Sequence, residues 1–261
     1  MQVEMNYFEM NRESWNKRAE IHFDSRFYDV DGFMAGNTSL REIELAELTQ
    51  VDGRRLLHLQ CHFGLDTLSW ARRGAECTGV DISPVAINKA RQLNDNAGLG
   101  AQFVCADVYS YSRGEVAPFD IVFTSYGTIC WLPDLDRWAE VVASNLAAGG
   151  IFYMAEFHPI YDLLAGYSYF EQDEPDIEEE ETYTENSGDL KTPLAVWAHP
   201  MGRVVNALVN AGIAIQRLNE FSFSPYNCFK GMTEREPGRF YITHNGQDVP
   251  LVYSVTGQRV G

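Results

Sequence analysis

Two aspartates stand where short apolar runs give way to irregular sequence: Asp81 in Gly79-Val80-Asp81-Ile82-Ser83 and Asp107 in Cys105-Ala106-Asp107-Val108. An acid at the carboxyl end of the second strand of a βαβ unit can accept both hydroxyls of a ribose. One at the end of the next strand can accept from an adenine amino group. Upstream, Leu57-His58-Leu59-Gln60-Cys61-His62-Phe63-Gly64-Leu65-Asp66 reads as a tight turn into a helix, whose first N–H groups lack partners and favour a carboxylate. Glu156 and His158 lie two apart on an extended segment, so their side chains share a face, as expected of groups that orient or deprotonate a nucleophile. His199 is a reserve candidate for that role. His58, inside an apolar run, is read as a core histidine, and Cys61 as a small buried hydrophobe.

The elements that must position these residues are strands at Arg55–Leu59, Glu76–Asp81, 102–106, 119–124 and 150–156, rich in Val, Ile, Leu, Phe or Tyr. Helical patterns alternate with them. One starts near Gly64 and stops at Gly74; the next has Ser83 as N-cap, Pro84 at its first position and Gly98 past its end. A third runs from 134 to 146 and is expected to end at Gly149-Gly150. Ser39-Leu40-Arg41-Glu42 reads as a capping box before a further helix. Alternation of this kind predicts a doubly wound α/β sheet with helices on both faces, whose ligands bind beyond the carboxyl ends of the strands.

Outside this core, residues 1–36 form an aromatic-rich segment, with 6–36 expected to fold back over the sheet. Residues 37–158 form the cofactor-binding core of a single domain. Residues 160–200 are an inserted flap and 201–261 return to the sheet, with a last strand expected at 249–255. In the flap, eight of the eleven residues from Glu171 to Glu181 are acidic and read as a solvated loop, with a strand pair expected at 181–185 and 194–198. Twenty Lys and Arg against 37 Asp and Glu give a formal charge of −17, which repels a phosphate backbone, so nucleic acid is not the expected partner. Five cysteines without C-x-x-C pairing suggest neither a disulfide framework nor a zinc site, and fit a reducing cytoplasm. No signal sequence, membrane span or metal site is expected.

From about Arg54 to Pro159 the chain resembles the class I S-adenosylmethionine-dependent methyltransferases. Four blocks carry the likeness: LLHLQCHFGLDTLSWA, GVDISPVAI, CADVY and FDIVFTSYG, followed by a helix and the L-x-x-G-G turn of Leu146–Gly150. The resemblance implies a mostly parallel seven-stranded sheet with an antiparallel last strand. It also implies S-adenosyl-L-methionine as cofactor, with Gln60, Cys61, His62 and Gly64 at its methionine part. Asp81 with Ile82 would then lie at the ribose, Asp107 with Val108 at the adenine, and Thr124, Ser125 and Tyr126 at the amino group. The family has glycines where this chain has Gln60 and His62. A dinucleotide needs them because its pyrophosphate lies against the backbone. S-adenosylmethionine has no phosphate, so the departure weighs against a nicotinamide-dependent oxidoreductase more than against methyl transfer to a small molecule. A non-catalytic binding protein on the same fold is the other alternative.

Overall fold

The computed structural model describes residues 6–188 and 190–261, so residues 1–5 of the N-terminal segment lie outside the description. The chain opens with α1 (Tyr7–Phe23) and α2 (Val30–Met34), then α3 (Glu42–Glu47). The alternating core follows: β1 (Arg55–Leu59), α4 (Leu65–Arg72), β2 (Glu76–Asp81), α5 (Pro84–Ala97), β3 (Gln102–Cys105), β4 (Phe119–Ser125), α6 (Leu135–Asn145) and β5 (Leu146–Phe157). Then come α7 (Ile160–Ala165), the hairpin β6 (Asp176–Glu180) and β7 (Thr192–Val196), α8 (Met201–Asn210) and β8 (Ile213–Phe221). Short pairs β9 (Thr233–Glu236) with β10 (Arg239–Tyr241) and β11 (Thr243–His244) with β12 (Gln247–Asp248) precede β13 (Val252–Arg259).

Seven strands form one sheet in the order β3-β2-β1-β4-β5-β13-β8, with β13 antiparallel to both its neighbours. Alternate side chains feed two cores. On one face Leu56, Ile121, Phe123, Tyr153 and Ala155 meet Leu68 and Trp70 of α4 and Ile87, Ala90 and Leu93 of α5. On the other Leu57, Leu59, Val122, Phe152, Met154, Tyr253 and Val255 meet Trp138 and Val142 of α6 and Val204 and Leu208 of α8. Each large side chain so buried contributes about 1.5–3 kcal/mol. Among the described residues no helix is long and apolar enough to cross a membrane.

The helix signals around β2 behave as read: the Ser83 hydroxyl accepts from Ala86 N at 3.1 Å, and Gly98 closes α5 at φ +64. Four expectations are corrected. The short α3 is opened by Arg41, whose amide donates to the Glu44 carboxylate, while Ser39 is spent on Asp66 and Ser69. Helix α6 stops at Asn145, and the residues from Leu146 through Gly149-Gly150 enter an irregular start of β5. The flap hairpin lies earlier than expected, because the acidic run itself supplies β6: Asp176 pairs with Val196 and Glu180 with Thr192. A strand exposed on one face tolerates the charges that loop composition would explain equally well. The last strand begins at Val252, not at 249, after the two small hairpins.

Candidate active site

Order reversal between β1 and β4 opens a crevice beyond their carboxyl ends, the usual ligand position in such sheets. There the loops after β1, β2, β3 and β4 line a cavity of about 890 Å³, roofed by α1, the turn after it and the flap. That lies near the top of the range for small-molecule sites, roughly 300–1,000 Å³. Gln60, Cys61, His62, Gly64, Asp81, Ile82, Asp107, Val108, Ser125 and Tyr126 all line it. Thr124 does not: it is fully buried beneath the site, its hydroxyl on Thr128 Oγ1 at 3.1 Å.

The first loop keeps the backbone of a glycine turn with two larger residues in it. Gln60 has φ +56 and His62 φ +52. A non-glycine residue in that region costs about 1–2 kcal/mol. At Gly64, φ is +79 and an added Cβ would stand 2.6 Å from the Phe103 ring, so glycine is required there. The Gln60 amide donates to Thr128 O at 2.7 Å, which leaves its Oε1 buried without a partner. Asp81 accepts from His62 N at 2.8 Å through Oδ2 and from Ser83 N at 2.9 Å through Oδ1. Burial outweighs those two donors and lifts its carboxyl to about 6. A carboxylate oxygen has more than one lone-pair direction, so two amides leave room for further donors. Asp107 spends Oδ1 on Tyr109 N at 2.8 Å as it caps the short helical turn after β3.

The structure does not bring Glu156, His158 and His199 to the cavity; none of the three lines it. Glu156 follows Phe152 and Met154 on the sheet face covered by α6 and α8. Its carboxylate accepts from the amides of Gly127, Thr128, Ile129 and Phe157 and from the Thr128 hydroxyl. His158 shares that face, as its spacing predicts, but its Nδ1 accepts from Ile160 N at 3.1 Å and its Nε2 lies 3.0 Å from Glu220. It anchors the turn leaving the sheet. His199 Nε2 lies 2.8 Å from Leu132 O and Nδ1 3.3 Å from Glu171. Burial lowers both imidazoles. His58 is a core histidine, its Nδ1 2.8 Å from Thr67 Oγ1 and its ring held near 4 by burial, although it also borders the cavity floor. Trp131 is a cavity wall, Trp138 is core, and Trp197 packs edge-on against Tyr7.

Several lining residues were not singled out from sequence. Asp66, at the start of α4, faces the cavity between Ser39 Oγ at 2.6 Å and Ser125 Oγ at 3.1 Å. Behind it Glu44 is fully buried and accepts from the Tyr126 hydroxyl at 2.8 Å. Burial, then the charge of Asp66, raises its carboxyl to about 8. Arg41 stacks its guanidinium 4.6 Å from the Tyr226 ring centroid. Phe27, Tyr28 and Tyr183 form an aromatic corner, with the two tyrosine hydroxyls 2.5 Å apart. Asp66 was visible inside the first sequence block; Tyr183 and Tyr226 carried no local signal. Among the described residues no group of three or more His, Cys, Asp or Glu side chains could hold a metal ion.

Residues 56–150 match the family model described as a methyltransferase domain. A ubiquinone biosynthesis O-methyltransferase of Xanthomonas euvesicatoria is 26% identical over 134 residues, 50% of this chain and 56% of that protein. The chain thus spans about half the length of the curated relatives it matches. Two solved S-adenosylmethionine-dependent methyltransferases share the fold. The one from Methanosarcina mazei has TM-score 0.60 and 17% identity, over 85% of this chain and 98% of its own. The one from Mesorhizobium loti has TM-score 0.57 and 21% identity, over 87% and 100%.

Proposed function

We propose that this chain, which carries a class I S-adenosylmethionine-dependent methyltransferase domain, transfers a methyl group from that cofactor to a small-molecule acceptor. The observation that carries the reading is Asp81: a half-buried carboxylate at the end of β2, on the cavity wall, held by two amides and still able to accept. The residues present fit the cofactor. Asp81 would hold the ribose, Asp107 and Val108 the adenine, and the loop Gln60–Gly64 with Ser125 and Tyr126 the methionine part. The unpartnered Gln60 Oε1 suits an ammonium donor there. When bound, the cofactor supplies an activated methyl group for in-line displacement.

The protein's own contribution is to align the acceptor and exclude water. Beyond the nucleoside positions, the cavity walls include Phe27, Tyr28, Tyr126, Tyr183, Tyr226 and Phe229, with Arg41 and Asp66 beside them, a set that suits a flat acceptor with a largely apolar body and a polar edge. The net charge of −17 favours a small molecule over nucleic acid, and five free cysteines suit a reducing cytoplasm. Residues 6–36 and the flap form the roof, and we assign them the part of a lid. Gln60 and His62 stand where a pyrophosphate-binding loop has glycines, which disfavours a nicotinamide cofactor.

Calorimetry with S-adenosylhomocysteine tests the binding step, and formation of that product from S-adenosylmethionine in a fractionated metabolite extract tests turnover. Micromolar binding together with extract-dependent turnover is expected. Binding without turnover in any fraction would leave a non-catalytic binding protein, and absence of binding would remove the reading altogether.

A further inference from the structure

His62 stands at a glycine position of the first loop, in a glycine's backbone conformation, and its ring is built into the roof of the cavity. The ring centroid lies 4.2 Å from Phe63, 5.2 Å from Trp15 and 5.4 Å from Tyr28. Nε2 is 3.0 Å from Nδ1 of His22 on α1, and Nε2 of His22 is 2.5 Å from the Thr182 hydroxyl in the flap. The other ring nitrogen, His62 Nδ1, is buried with no partner. The amide of the same residue donates to Asp81, so His62 and Asp81 flank one corner of the cavity.

We propose that His62 Nδ1 is a second anchor for the sugar held by Asp81, and that the chain His62–His22–Thr182 carries that contact to α1 and the flap. The proposal rests on the nucleoside-cofactor reading above. Hydrogen-bond bookkeeping supports it. Burial keeps both imidazoles neutral, His62 at about 3 and His22 lower still. A neutral imidazole has one donor and one acceptor. If Thr182 donates to His22 and His22 to His62, then His62 Nδ1–H is a buried donor with nothing to accept it. If the chain runs the other way, Nδ1 is a buried acceptor with nothing to donate. A sugar hydroxyl, which both donates and accepts, completes either arrangement and ends the cost of an unsatisfied buried group. One end of the completed chain is then ligand and the other is flap. This accounts for a strained histidine where a glycine would do.

The test uses the full chain with S-adenosylhomocysteine and its 2′-deoxy and 3′-deoxy analogues. Wild type should bind at least one deoxy analogue about tenfold more weakly than the parent. His62→Gly, which relieves the backbone strain but gives up the ring contacts and the partner of His22 and should still be folded at the temperature of the assay, should bind the parent about 5–20-fold more weakly and lose the discrimination at one hydroxyl. His22→Phe should remove the ligand-induced amide-exchange protection of the flap around Thr182. Unchanged affinity and unchanged discrimination in His62→Gly would overturn the sugar contact, and undiminished flap protection in His22→Phe would overturn the relay. A wild type that binds none of the three compounds would overturn the functional reading and this inference with it.

Discussion

The carboxyl ends of β2 and β5 each present one carboxylate to a neighbouring loop, half-buried in the first and buried in the second, and the two do opposite things. Asp81 has two amide donors and faces the cavity. Glu156 has four amides and a hydroxyl, and faces the α6 and α8 side. An acid at a strand end is therefore not a functional signal in itself. What distinguishes the two is saturation: Glu156 has spent its lone pairs on the loop Gly127–Ile129, whereas Asp81 keeps some for a ligand. Glu156 acts on the site only by holding the loop that carries Tyr126 and Trp131.

The largest effect should come from removing the saturated acid. Glu156→Ala strands four amides, two of them buried, together with the Thr128 hydroxyl, and is expected to cost about 3–5 kcal/mol of unfolding free energy. Urea denaturation measures it. A loss below about 1 kcal/mol would mean that the clamp holds nothing and would undo the contrast with Asp81.

Asp81→Ala should behave inversely, leaving the melt within a few degrees of wild type and weakening S-adenosylhomocysteine by about 1.5–3 kcal/mol. Its acidity adds a second readout. The folded carboxyl titrates at about 6, above its ordinary range, so in the free protein it takes up a proton as pH falls through 6. The protonated form accepts sugar hydroxyls poorly, and affinity should drop as pH falls from 7 to 5. Asp81→Asn should flatten that profile. A profile equally steep in the variant would assign the proton to another group.

The cofactor side of the molecule was legible because its signals are local. Ser83 with Pro84 and Gly98 mark the two ends of one helix, and Asp81 ends an apolar run. The roof was not legible in the same way. Helix α1 buries a polar stripe, Asn11, Ser14, Arg18 and His22, so apolar periodicity does not mark it. That stripe serves the flap: Asn11 exchanges two 2.9 Å bonds with the backbone of Ala195, and Ser14 meets Thr192 at 2.8 Å. Such pairing across the chain leaves no trace in residue spacing. Nor does saturation. The extended spacing of Glu156 and His158 correctly put them on one face, but which face meets the cavity depends on where α6 and α8 pack.

A third carboxyl, Glu44, sits between the two cases, with Arg41 N and the Tyr126 hydroxyl as its donors. Its folded value of about 8 lies far above the ordinary one near 4.3. Between those values the folded chain holds a proton that the unfolded chain has released, so this group makes stability fall as pH rises from about 4.5 to 8. Glu44→Gln should remove that slope, so that the variant loses less stability than wild type between pH 5 and pH 8. Parallel urea melts at the two pH values measure it. An unchanged slope would show that Glu44 is ionised in the fold.

The smallest effect is expected at His199, and it bears most directly on which face of the sheet does chemistry. Its ring is buried, with Nε2–H donating to the Leu132 carbonyl at 2.8 Å and Nδ1 beside Glu171, so it ties the start of the flap to the loop after β4. Replacing it by alanine leaves one carbonyl unpaired and a gap under the flap, worth about 1 kcal/mol. Affinity for S-adenosylhomocysteine should stay within about twofold, because no atom of His199 borders the cavity. Once an acceptor is known, turnover should change no more than the loosened flap requires, with the pH dependence unaltered. A loss of about 10²-fold or more in turnover, with stability kept and the pH profile changed, is the signature of a positioned base. That outcome would mean the acceptor reaches the buried side during turnover, and Glu156 and His158 would again have to be considered as its partners.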